Sequence, residues 1–188
     1  GEKGQPYDEE DVPRPLSVYG RTKLAGEAVA LGYADGYVAR VSTLYGPGRQ
    51  NFCDATVERA QRGEPIAAFA DQATSPTYTE DAADGLEALA GALAARRSER
   101  LPRVYHVTNA GGCRRVEFAQ RILERLKRPA SLLRAVRMSD AGRPAPRPRY
   151  SMLTSRHLPA LIGRTLRPWD NALDAYLQQR RWISSPGG

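Results

Sequence analysis

The stretch Tyr37-Val38-Ala39-Arg40-Val41-Ser42 constrains this fold more than any other part of the chain. Its β-branched and small residues, entered from Gly36, suit a parallel strand buried on both faces after a βα crossover. Such a strand needs a neighbour running the same way, joined through a crossover of a dozen or more residues. Helical and extended patterns alternate around it at that spacing. Upstream, Ser17 is placed to cap a helix reaching residue 31, with Leu24, Ala25, Ala28, Val29 and Leu31 as its buried side. Downstream, residues 52–62 read as a helix stopped by Gly63, residues 65–69 as a short strand, and residues 79–97 as a helix capped by Thr79, with Glu80 and Asp81 near its positive end. Residues 104–108 read as the last strand of the sheet, with His106 packed inside it. A turn at 109–112, a helix at 115–127, a strand at 132–136 and helices near 155–161 and 168–179 complete the pattern. Residues 1–16 read as an acidic, proline-punctuated loop and residues 182–188 as a frayed end, and there is no internal repeat.

The first helix carries the chemistry. Tyr19 and Lys23 lie four residues apart and share a face, so the Lys23 ammonium comes within reach of the Tyr19 hydroxyl or of a ligand between them. A fixed cation beside a phenol favours the phenolate and so suits a tyrosine to proton transfer near neutral pH. With nine Tyr and three Lys in the chain, chance alone gives one Tyr-x-x-x-Lys match about one time in seven, so the flanking residues must carry the argument. After the strand comes Thr43-Leu44-Tyr45-Gly46-Pro47-Gly48-Arg49-Gln50-Asn51-Phe52, a Gly/Pro-rich loop at the strand's carboxyl end, where open α/β sheets bind ligands.

Tyr7-Asp8-Glu9-Glu10-Asp11, Pro13-Arg14-Pro15-Leu16 and Ser17-Val18-Tyr19-Gly20-Arg21-Thr22-Lys23-Leu24-Ala25-Gly26-Glu27 together closely resemble the extended short-chain dehydrogenase/reductases, and within them the dTDP-4-dehydrorhamnose reductase family. Asp71-Gln72-Ala73-Thr74-Ser75-Pro76-Thr77-Tyr78-Thr79-Glu80-Asp81 and Arg147-Pro148 with Ser151 and Leu153 match further stretches of that family. The resemblance implies an α/β fold: the C-terminal part of a Rossmann-type doubly wound parallel sheet with a smaller α/β substrate-binding domain. Residues 1–52 and 77–108 would form the remainder of the NAD(P)-binding domain and residues 53–76 and 109–188 the substrate-binding domain. It implies reduction of a 4-keto nucleotide sugar with NADPH or NADH, Tyr19 giving the proton and Lys23 holding the nicotinamide ribose. Ser42 joins Tyr19 and Lys23 on the cofactor side, and Thr43, Asn51 and Arg147 are the substrate-side candidates. Two departures bear on the sugar: Thr43 stands where the family commonly has a tryptophan, and Thr154 where it has an aspartate. A nucleotide-sugar epimerase or dehydratase shares the Tyr/Lys chemistry, and a non-catalytic regulatory subunit shares the fold, although retention of both residues argues against the latter. A homodimer is compatible with all three.

Composition narrows the partners. The net charge of +7 is uneven: residues 96–149 hold 15 Lys/Arg against 4 Asp/Glu. These cations alternate with apolar residues at helical spacing and lack interleaved aromatics, which predicts solvated helix faces rather than a nucleic-acid surface. No apolar run approaches the ~18 residues of a membrane span, and the acidic start does not read as a signal peptide, so the cytoplasm is the expected location. Cys53, Cys113, His106 and His157 have no metal-ligand spacing, and no metal is expected. No G-x-G-x-x-G occurs. The expectation is therefore a segment of a longer protein, with the dinucleotide fingerprint ahead of Gly1 and sheet-edge and helix faces left exposed.

Overall fold

A computed structural model describes residues 1, 3–142 and 144–184. The expected frayed end thus lies partly outside the described residues, as does Arg143 of the Pro/Arg stretch. The elements run α1 (Val18–Gly32), β1 (Val38–Arg40), β2 (Leu44–Tyr45), α2 (Phe52–Arg62), β3 (Ile66–Phe69), β4 (Ala73–Thr74), β5 (Thr77–Tyr78), α3 (Thr79–Ala95), β6 (Val104–His106), β7 (Cys113–Arg114), α4 (Arg115–Arg125), β8 (Leu133–Val136), β9 (Tyr150–Ser151), α5 (His157–Ile162) and α6 (Trp169–Gln179). Short 3-10 turns flank β8.

Three parallel pairs form the α/β framework: β1 with β6 in the register Val38↔Val104, β2 with β5, and β3 with β8. A separate three-stranded ribbon has β4 in its middle, antiparallel to β7 and parallel to β9. The largest core is aromatic. Tyr45, Tyr78, Phe118 and Tyr176 pack with ring centroids 5.3–5.9 Å apart, over Val57, Ile122, Leu173 and Leu177. Each such ring pair adds roughly 0.5–1.5 kcal/mol beyond area burial. A second cluster, Leu89, Tyr105, Val107, Leu158, Leu161 and Leu166, seats α5 against α3 and β6, and a third joins α2, β3 and α4 through Ala60, Ile66, Ala68, Ala119 and Leu123. Cys53 and Cys113 are reduced and buried in the aromatic core, where burial pushes the Cys113 thiol up to about 12.

Several expectations need correction. No residue of α1 is buried; Ala25, Ala28 and Val29 are exposed and Leu24 and Leu31 only half-buried, because among the described residues β1 is the main element the helix packs on. β1 is shorter than expected and unevenly covered: Val38 is buried, Ala39 exposed and Arg40 half-buried, and among the described residues β6 is its paired neighbour. Thr79 is the first residue of α3 rather than its cap; Tyr78 takes that place with no side-chain bond, and the Thr79 hydroxyl lies against Gly46. The arginines of α4 are not simply solvated, because Arg121 pairs with Asp170 and Arg125 with Asp174 of α6. Strand β2 falls in the stretch read as a loop, and β4, β5, β7 and β9 fall where no strand was expected, being too short to show a period. No described helix is long and apolar enough to cross a membrane, and no described group of three His, Cys, Asp or Glu is placed to hold a metal.

Candidate active site

Ser17 starts α1: its Oγ accepts a 3.1 Å bond from the Gly20 backbone N–H, the expected cap. One turn of helix then sets Tyr19 and Lys23 on a common face, with the Lys23 Nζ 5.5 Å from the centre of the Tyr19 ring. Tyr19 is 71% exposed, and among the described residues no other side chain engages its hydroxyl or the ammonium. Both groups therefore remain open to a ligand lying across the helix. The helix is anchored to the sheet farther along, where Arg40 of β1 forms a two-point ion pair with Glu27 at 2.7 and 2.9 Å. This pair fixes α1 beside the carboxyl end of β1.

Ser42 and Thr43 leave that end of β1, both half-buried. Thr43 adopts a left-handed backbone, φ +41°, which is unfavourable for a β-branched residue. Its hydroxyl bonds to that of Thr74, and the Ser42 hydroxyl lies 3.3 Å from the same atom. Asn51, a substrate-side candidate, caps α2: its Oδ1 accepts from Cys53 and Asp54, and its Nδ2 donates to the Gly46 carbonyl at 3.0 Å and to Asp54 at 2.9 Å. Tyr176 reinforces this loop, donating to Asp54 at 2.6 Å. Burial and the Asp54 carboxylate push the Tyr176 phenol up to about 12, so it stays a donor. Arg147 lies exposed just before β9.

The Asp71–Asp81 stretch supports the site from below. Ser75 donates to the Gly111 and Leu153 carbonyls at 2.9 and 3.2 Å and accepts from the Leu153 N–H, while Asp81 holds Arg167 and Asn109. These side chains are spent on joining segments, so this stretch serves folding at Ser75 and Asp81. A cleft of about 460 Å³ lies between the start of α2, the ends of β3 and β8 and the start of α4; Arg115 stacks 4.2 Å over the Phe52 ring at its wall, and Arg137 and Asp140 also line it.

Sequence reasoning missed Thr74 and Glu9. Glu9 is buried in the N-terminal loop, its carboxylate accepting from the backbone N–H groups of His106 (3.0 Å), Arg156 (3.1 Å) and His157 (3.3 Å). Burial alone would raise its pKa, but these donors outweigh it and hold the carboxyl below its ordinary value. An acidic run reads as solvated, and no spacing marks which of its members turns inward.

A family model described as the RmlD substrate binding domain matches residues 1–182. Curated relatives include the spore coat polysaccharide biosynthesis protein SpsK of Bacillus subtilis, 35% identical over 96% of this chain and 60% of the relative, and a dTDP-4-dehydrorhamnose reductase of Streptomyces griseus, 35% identical over 92% of this chain and 57% of the relative. The crystal structure of a dTDP-4-dehydrorhamnose reductase from Bacillus anthracis in complex with NADP superposes with a TM-score of 0.79 at 28% identity, over 95% of this chain and 61% of that one. The chain thus spans about three fifths of the length of the proteins it matches.

Proposed function

Because the chain belongs to the RmlD substrate binding domain family, we propose that it supplies the catalytic helix and the substrate-binding part of an NADP(H)-dependent reductase acting on a 4-keto nucleotide sugar of the dTDP-4-dehydrorhamnose type. The observation that carries this reading is the Tyr19–Lys23 pair, exposed on one face of α1 beside the carboxyl end of β1. NADPH, when bound, supplies the hydride. Tyr19 holds the proton that the sugar's carbonyl oxygen takes up, a task that suits a positioned phenol with a cation at its side. Lys23 reaches the nicotinamide ribose from the same face, and Ser42 borders the cofactor at the end of β1. Thr43 faces the sugar. Asn51 and Arg147 are the remaining substrate-side contacts, and Asn51 must exchange one of its capping bonds to make one. The Phe52 cleft, with an aromatic ring and a guanidinium in its wall, suits the base and diphosphate of the nucleotide. Residues 1–52 and 77–108 serve the cofactor, and residues 53–76 and 109–188 the sugar nucleotide.

Pyrophosphate recognition in this fold depends on backbone N–H groups at a glycine turn ahead of a helix. The chain has no G-x-G-x-x-G. Residues 1–188 alone therefore bind NADPH weakly and do not turn over, whereas a polypeptide joining them to the dinucleotide-binding part of the Streptomyces griseus reductase oxidises NADPH when a 4-keto nucleotide sugar is added. Fluorescence titration and an absorbance assay check both halves. Micromolar NADPH binding by residues 1–188 alone would overturn the first. A joined polypeptide that folds and binds NADPH but reduces no such sugar would overturn the second.

A further inference from the structure

Thr74 occupies the middle strand of the ribbon, with Cys113 as its partner on one side and Ser151 on the other. It is 2% exposed and is followed by the fully buried Ser75, which is tied to two further segments. Packing above it is close: a Cβ at Gly112 would lie 2.7 Å from the Thr74 carbonyl oxygen. The Thr74 hydroxyl is thus a fixed point, remote in sequence from β1, and it meets the two hydroxyls that leave β1, those of Ser42 and Thr43.

Thr43 is one of three non-glycine residues with positive φ among the described residues. A β-branched residue does not take φ +41° by preference, and such a conformation persists only where surrounding contacts hold it. Backbone pairing holds it on one side, through the Thr77 N–H to the Thr43 carbonyl at 3.2 Å. Among the described residues, Thr74 is the hydrogen-bond partner that holds the side chain. We infer that Thr74 is the positioning residue for Thr43: its hydroxyl keeps Thr43 left-handed, so that Thr43 presents its own hydroxyl, half-exposed at the carboxyl end of β1, to a hydroxyl group of the substrate, while Ser42 beside it borders the cofactor. Each hydroxyl has one donor and two acceptor positions, so the contact with Thr74 leaves capacity for a ligand. A polar contact of this kind at Thr43 selects a hydroxylated ring face over an apolar one. The substrate half of this inference rests on the reading given under Proposed function; the positioning half does not.

The test separates the two. In residues 1–188, NMR reads the Thr43 backbone through its HN–Hα coupling and Cα shift. Thr74→Val, close in shape but without the hydroxyl, moves both away from left-handed values while distant amides stay in place; Thr74→Ser leaves them unchanged. Unchanged Thr43 signals in Thr74→Val would overturn the positioning claim whatever the enzyme does. If Thr74→Val does not fold, Thr43→Gly combined with it restores folding, because glycine takes φ +41° without a side-chain tether; failure of the double variant would equally overturn it. In the joined polypeptide, Thr74→Val raises KM for the nucleotide sugar about tenfold with kcat little changed, the size of one lost neutral hydrogen bond, and Thr74→Ser restores it. Moved Thr43 signals with an unaltered KM would sink the substrate half and leave the positioning half standing.

Discussion

The Glu9 carboxylate is held by three backbone N–H groups from β6 and the start of α5, and this makes a residue of the N-terminal loop part of the protein's acid stability. Its folded pKa lies below the ordinary value of 4.5. Its contribution is therefore complete above that value and is lost as pH falls through the lower folded value. His106 adds to the same limb by a different route. Burial disfavours its imidazolium and lowers its pKa from 6.5, so stability falls as pH drops below 6.5 because the unfolded state takes up the proton first. Replacing Glu9 by Gln leaves the fold intact at neutral pH at a loss of about 1–3 kcal/mol. It also flattens the part of the stability curve below pH 4.5. Urea midpoints measured across this range check it, and superimposable pH slopes for the two proteins would contradict the assignment.

At the scale of elements, α1 and α6 stand at opposite ends. Four residues of α6 are buried in the aromatic core and none of α1 is, so local opening of α1 needs far less free energy. Amide hydrogen exchange is expected to run through α1 well before α6; equal protection would mean that α1 is covered by something its contacts here do not show. Asn51→Ala removes the cap of α2 and the bond to the Gly46 carbonyl, and should lower stability by about 0.5–2 kcal/mol in thermal unfolding. An unchanged melting curve would count against that role. These elements also show what could be read from sequence. Ser17 and Gly63 carried local signals, and the structure places α1 and α2 within a residue of the expected bounds. Tyr19 and Lys23 were legible because helix geometry alone brings them together. The burial of α1 was not, since periodicity tells which face is apolar but not whether anything lies against it. Thr74 and Glu9 act through partners about 30 and 100 residues away along the chain, and no local pattern encodes such pairing.

Across the whole molecule, the Tyr19–Lys23 pair stands apart from the apolar cores. The three apolar clusters lie under the α2–α4–α6 side and beneath β6, whereas Val18, Tyr19, Val29 and Tyr33 line the open side of α1. The cluster of Ser42, Thr43 and Thr74 links that side to the ribbon that carries β9, and the Glu27–Arg40 ion pair ties α1 to the sheet. If this arrangement serves proton transfer, the Tyr19 hydroxyl is the one atom of it that cannot be spared. The decisive measurement is the turnover of the joined polypeptide carrying Tyr19→Phe, followed by NADPH oxidation with a 4-keto nucleotide sugar and accompanied by an NADPH titration. Loss of a general acid predicts a fall of about 10²- to 10⁴-fold in kcat with NADPH affinity nearly unchanged; turnover within a few fold of the unsubstituted protein would contradict the account.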